Sequence, residues 1–320
     1  MDIQPEPRPA DPTSGRRMDR ATDTAVPSSV RSTTPASQPA AMHPRHPRPS
    51  QQARRYLLTL RRFWGTALAG QLEYQANVWI DLLAMAANLA GSLLLLSLFF
   101  PRPEPGAPAA RLGGWSWEAA LVVQGLYTLL DGVASTWLRP NLGAIVTHVR
   151  EGTLDFVLLK PIDSQFWLSL RTLAPAGLGE IALGIGLVAW AAPRAGAPAD
   201  PIGALLALLM LLSGVCILYA LWFLLATTSI WFVKTWNATE VLRAALTAGR
   251  FPLSAYPPAL RLVFTLVLPI AFLTTVPAEA ILGRATPGWM GLALLVAAVS
   301  LALCRAFWRF ALRHYTSASS

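Results

Sequence analysis

The chain has 320 residues, of which 54% are hydrophobic and only 13% charged, with a formal net charge of +9. A charged fraction about half that of soluble domains excludes a water-soluble globular protein. The charges crowd into the first fifty positions and a few connections, and the remainder is long apolar runs.

Residues 1–50 are rich in Pro, Ser, Thr and Arg and hold almost no large apolar side chains, so a disordered cytoplasmic tail is expected. No apolar h-region marks a signal peptide. Scarce acidic residues fit an organelle transit sequence, the density of Pro opposes an amphipathic helix, and translation starting at Met42 accounts for the tail equally well. The rest of the chain, 51–320, forms one transmembrane domain. It opens at 54–72, where Leu57, Leu58, Leu60, Phe63, Trp64, Leu68 and Leu72 are interspersed with Arg and Gln. That pattern predicts a helix lying in the cytoplasmic interface.

Six runs then reach the length of about 20 apolar residues that a crossing needs: 77–100, 116–138, 166–192, 202–232, 260–281 and 289–310. Without a period of two they are helices rather than barrel strands, and the fold class is an all-α integral membrane protein of six spans. Arg and Lys set the orientation. One set of loops carries Arg54, Arg55, Arg61, Arg62, Arg139, Arg150, Lys160, Lys234, Arg243, Arg250 and Arg313, with Arg305 and Arg309 just inside the last helix; the other carries only Arg102, Arg111, Arg194 and Arg284. Both termini are therefore expected in the cytoplasm. The basic balance is accounted for by topology and anionic lipid, with no nucleic-acid partner.

Of the connections, the cytoplasmic loop 139–165 is the most informative. Asn141 suits an N-cap, Leu142, Ile145, Val146 and Val149 share a face, Arg150 suits the C-terminal dipole, Glu151 follows, and Gly152 is a stop. A short amphipathic helix is predicted, resting on the membrane surface or filling a groove on another protein. The larger connection after 232 is the second cytoplasmic candidate.

Catalytic parts are missing. Cys216 and Cys304 are isolated, and His43, His46, His148 and His314 have no metal-ligand spacing. The only lysines, Lys160 and Lys234, do not follow a Gly, so the chain has no P-loop and does not hydrolyse ATP by that route. No cofactor or metal is expected on it. Asp155 and Asp163 share a loop but are separated by residues suited to packing, which weakens a lipid-modifying enzyme. An ion-gradient carrier would show repeated halves and midplane charges; no repeat is visible. Glu180, among Gly177, Gly179, Gly184 and Gly186, either meets cargo or a proton, or hydrogen-bonds two closely packed helices, which is the favoured reading. Asp81 and Asp131 lie nearer span ends as interfacial or packing residues. Glu279, between Pro277 and Gly283, is a candidate gate residue in a re-entrant or outward-facing turn, or an ordinary surface Glu. Asn237 and Thr239 form a sequon by chance in a cytoplasmic loop.

The run from Arg150 to Ile162, REGTLDFVLLKPI, resembles the signature of one family of ABC-2 type transport permeases. The segments 249–258 (GRFPLSAYP with its following Pro) and 268–279 (LPIAFLTTVPAE), with Arg261 between them, are similar to the matching region. The likeness covers about 55–314 and shares the six-span layout. It implies the permease subunit of an ATP-binding-cassette exporter, paired with a second permease chain, identical or related, and driven by separate ATPase subunits that hold ATP and Mg. It also implies that the helix from Asn141 to Arg150 is the coupling helix, and that the chain sits in a bacterial inner membrane. Spans of Leu, Ala, Val, Gly and aromatics fit an amphiphile, a lipid or a polymer as cargo; no ring of charges is available for a small ion.

Overall fold

The structure, a computed structural model, describes residues 75–101, 110–232 and 236–315, together with Leu58, Leu60, Arg61, Trp64 and Gly65. The tail expected over 1–50 and most of the interfacial helix expected over 54–72 lie outside the described residues. Among the described residues every extended element is helical.

Helix α1 (Gln75–Ser97) is followed by α2 (Trp117–Val133), which Ser116 caps by accepting the Ala119 amide. The chain then does not end its helix as expected. A widened π turn, Ala134–Leu138, carries α2 directly into α3 (Arg139–Arg150), giving one continuous rod from Trp117 to Arg150. Pro140 has no amide to offer the Thr136 carbonyl one turn back, which would ordinarily break the rod. That buried carbonyl instead accepts the amide of Ala174 at 2.9 Å. The π turn next to Pro140 absorbs the local misfit.

Two short helices, α4 (Leu154–Leu158) and α5 (Ser164–Leu170), precede α6 (Gly177–Arg194). The run expected as a single span over 166–192 is thus two helices separated by non-helical residues 171–176, where Pro175 restricts Ala174 and lacks its own amide. Helix α7 (Pro201–Thr227) starts at Asp200, whose carboxylate accepts the amides of Ile202 and Gly203. Helices α8 (Trp236–Leu246), α9 (Pro258–Leu262), α10 (Thr275–Ile281) and α11 (Pro287–His314) complete the chain.

Contacts between connections define two ends of the bundle. At the Trp115 end, the Phe99 and Phe251 rings meet edge-on at 5.7 Å, a Cβ on Gly113 would fall 2.6 Å from the Ser254 carbonyl carbon, and one on Gly283 would fall 3.0 Å from Pro198. At the Trp167 end, Asp163 pairs with Arg305, and Trp231 packs on Phe310 at 6.0 Å.

This placement corrects two expectations. The segment 249–256 is at the Trp115 end, opposite 150–163, so it is not a connection on the same side. The run 260–281 does not cross: its halves, Pro258–Val267 and Ile270–Ile281, are bent by 76°, and both outer ends, by Ser254 and by Gly283, lie at the Trp115 end. It is a re-entrant hairpin. The element that travels between the ends is α8 with its 3-10 extension Thr247–Arg250, carrying Arg243 and Arg250 along it. Among the described residues four helices are long and apolar enough to cross a membrane, five if the bent pair were one span.

Helices α2 and α6 pack at backbone contact. A Cβ on Gly184 would sit 2.5 Å from the Leu129 nitrogen, and one on Gly132 would sit 2.6 Å from the Ile181 nitrogen. Gly177 has the same function against Thr136, whereas Gly179 faces α1 side chains and Gly186 faces open space. The α7–α11 side of the core closes on Phe223 and Trp308, whose rings meet edge-on at 5.4 Å.

Candidate functional site

Burial rearranges the expected coupling helix. Asn141 is 3% exposed, Leu142 and Ile145 are packed in the core, and Val149 leans against it. Val146 is half-buried, and of the residues expected to meet the partner only Arg150 and Glu151 are exposed. The apolar face predicted for a partner is therefore turned into this chain's own core, and Asn141 is no N-cap. Gly152 does end the rod: it has φ +67°, and its amide reaches the Val149 carbonyl.

Exposure appears one turn later. In α4, Leu154 and Val157 point inward, while Phe156 is 69% exposed and the following Leu159 is 81% exposed. This tip is an apolar projection of the Trp167 end, and Lys160 adjoins it. Lys160 Nζ lies 4.1 Å from the centre of the Trp167 ring, and Arg171 stacks on the same ring at 4.6 Å. Partial burial, then the Arg171 charge, pull the Lys160 amine below its ordinary value. The apolar letters of residues 154–159 were visible in sequence; which of them faced outward was not.

A polar network ties α5 to the long helices behind the tip. Asp163 caps α5 by accepting the Phe166 amide at 2.9 Å, and Arg305 of α11 grips both its carboxylate oxygens, at 2.5 and 3.2 Å. Arg305 also donates to Gln165, Gln165 to Tyr219 of α7, and Trp308 to Ser164. Asp163 is thus a structural carboxylate. Burial raises its pKa, but the Arg305 guanidinium and the Phe166 amide outweigh it and hold the carboxyl below its ordinary 3.8. A depressed carboxylate stabilises the fold above the unfolded value and loses that contribution as pH falls through the folded one. Both partners are about one-third exposed or more, so Arg305→Gln should cost at most about 1 kcal/mol. Urea unfolding of detergent-solubilised wild type and variant should show this gap closing only below pH 3.8.

Charges along the helices are mostly engaged. Ser135 donates to Glu180 at 2.7 Å, joining the π turn to α6, and Asp131 forms an ion pair with Arg139. Arg250 reaches Ser92 and Asn88 of α1 and lies over the Tyr127 ring at 4.9 Å. Helix α8 is different. Leu242 and Gly249 are buried, but Glu240, Val241, Arg243, Ala244 and Thr247 form an exposed face, with Glu240 and Arg243 3.8 Å apart.

Glu279 does not join Glu180. It is on α10 at the Trp115 end, lining a cavity of about 640 Å³ between the limbs of the re-entrant hairpin, with Trp115, Arg261 and Trp289. Among the described residues no three His, Cys, Asp or Glu side chains are grouped to hold a metal ion.

The family model described as ABC-2 family transporter protein matches residues 86–319, from within α1 past the end of α11. The chain belongs to the ABC-2 transporter family. No curated protein and no solved structure matches it. This ABC-2 chain is a multi-pass membrane transport subunit rather than an enzyme. The family match also includes the α4 tip, the α8 face and the re-entrant hairpin.

Proposed function

We propose that the chain is the permease subunit of an ATP-binding-cassette exporter, docked on separate ATPase subunits through the α4 tip and paired with a second permease chain along the exposed face of α8. The observation that carries this reading is the tip itself. Phe156 and Leu159 stand out from an arginine-rich end while Leu154 and Val157 root them in the core, as a lever between partner and spans requires. ATP and Mg then belong to the partner.

In this reading six elements cross the membrane: α1, the α2–α3 rod, α6, α7, α8 with its extension, and α11. The Trp167 end, with Arg150, Lys160, Arg171, Arg305, Arg309 and Arg313, is cytoplasmic by the positive-inside rule, which puts both termini of the crossing region inside. Glu240 and Arg243 at membrane depth are costly in lipid, and facing a second permease across a wet path relieves that cost. The hairpin with Glu279 closes that path on the outer side as a gate. A bacterial inner membrane is the setting.

Tagged protein captured from native membranes in mild detergent should bring down a protein with its own P-loop. A clean preparation without an ATPase would sink the exporter reading in favour of a gradient-driven carrier. For the α8 face, Thr247→Cys should form a cross-link between two chains in native membranes. Leu205→Cys, exposed on α7, is its control and should stay monomeric.

A further inference from the structure

We propose that Asn141 is the positioning residue of a hinge at residues 171–176, through which movement of the docking end is passed to α6. This rests on the permease reading above. Non-helical backbone inside a helical bundle persists only where its polar groups are met by protein. Here the carbonyls of 174–176 accept amides from the first turn of α6, while Thr172 and the Ala174 amide find their partners on the neighbouring rod. The Asn141 side chain acts as a strand would: Oδ1 accepts the Thr172 amide and Nδ2 donates to the Thr172 carbonyl, both at 2.7 Å. Its second Nδ2 hydrogen goes to the Trp137 carbonyl, so both donors and the oxygen of the carboxamide are engaged. The Ala174 amide takes the Thr136 carbonyl that Pro140 cannot serve, and Trp64 donates to the Leu170 carbonyl at 3.3 Å.

The break separates two bodies held by different chemistry. On one side α5 is fastened to α11 and α7 by the Asp163–Arg305 fork and the Gln165–Tyr219 and Ser164–Trp308 hydrogen bonds. On the other, α6 is locked to α2 by glycine contacts that leave no room for sliding. Relative movement is accommodated at 171–176, and hydrogen bonds to a single side chain can open and re-form there without unwinding either helix. Asn141 lies on the rod that leads directly to the α4 tip, so displacement of the tip acts on the clamp.

The test uses the full chain with its captured ATPase in lipid, followed by backbone hydrogen exchange with and without Mg and a non-hydrolysable ATP analogue. Nucleotide should speed exchange at Thr172 and Ala174 about tenfold, the worth of a hydrogen bond, while α6 amides facing α2 keep their protection. In Asn141→Leu, exchange at Thr172 should be fast from the start and insensitive to nucleotide, with ATPase capture unchanged. A wild-type complex whose 171–176 amides ignore nucleotide overturns the hinge, as does an Asn141→Leu chain that loses ATPase capture, since the residue would then be merely structural. Should that variant fail to fold, the wild-type comparison decides alone. Failure to capture any ATPase is a separate result and counts against the permease reading itself.

Discussion

Gly184→Leu should leave little folded protein, with a loss of about 3 kcal/mol or more. The first added carbon would sit 2.5 Å from the Leu129 nitrogen and 2.7 Å from the Gly125 carbonyl oxygen. Both obstacles are backbone of a continuous helix, so no side chain can turn aside. The helices must part, and parting costs the dispersion contacts that hold helices together where lipid removes the hydrophobic drive between them. The separation would also pull Glu180 from Ser135. Gly186→Leu is the matched control, since its added carbon meets nothing within 4 Å. Thermal unfolding in detergent, read by the fraction of monodisperse protein, should separate the two variants clearly. Equal melting would mean that α2 and α6 do not pack at backbone contact.

Phe156→Asp combined with Leu159→Asp is expected to cut ATPase capture at least about tenfold while leaving the fold intact. Both side chains are already largely in solvent, so the new carboxylates displace no core packing; they place charge where an apolar contact is required. Ile145→Asp makes the opposite case. That side chain has 0% exposure, and an unpaired carboxylate there should unfold the chain instead of merely releasing a partner. Size-exclusion profiles alongside the capture assay distinguish these outcomes. A double variant that folds and still captures the ATPase at wild-type yield would remove the tip from the docking surface.

Much of this protein was legible in its letters because lipid imposes few solutions on a backbone. The excess of apolar residues required membrane helices, and α1, α7 and α11 lie close to the runs 77–100, 202–232 and 289–310. The motif from Arg150 to Ile162 pointed to the ABC-2 family that the match over 86–319 shows. The packing reading of Glu180 was available from the surrounding glycines, and Ser135 supplies its partner.

Tertiary structure decided the rest, each time because hydropathy cannot see what lies next to a residue. Pro140 should have ended a helix, but the Ala174 amide satisfies the carbonyl it strands, so the rod runs on and buries Ile145. The run 260–281 is apolar enough to cross yet turns back, because apolarity measures what a segment can bury and says nothing of where its ends are held. Helix α8 shows the converse. Its charges hid it from any search for apolar runs, although it travels between the two ends of the bundle. Sequence thus determined the solvent this chain belongs in and its family; which faces meet the core, a partner or open space was settled by contacts between residues far apart in the chain.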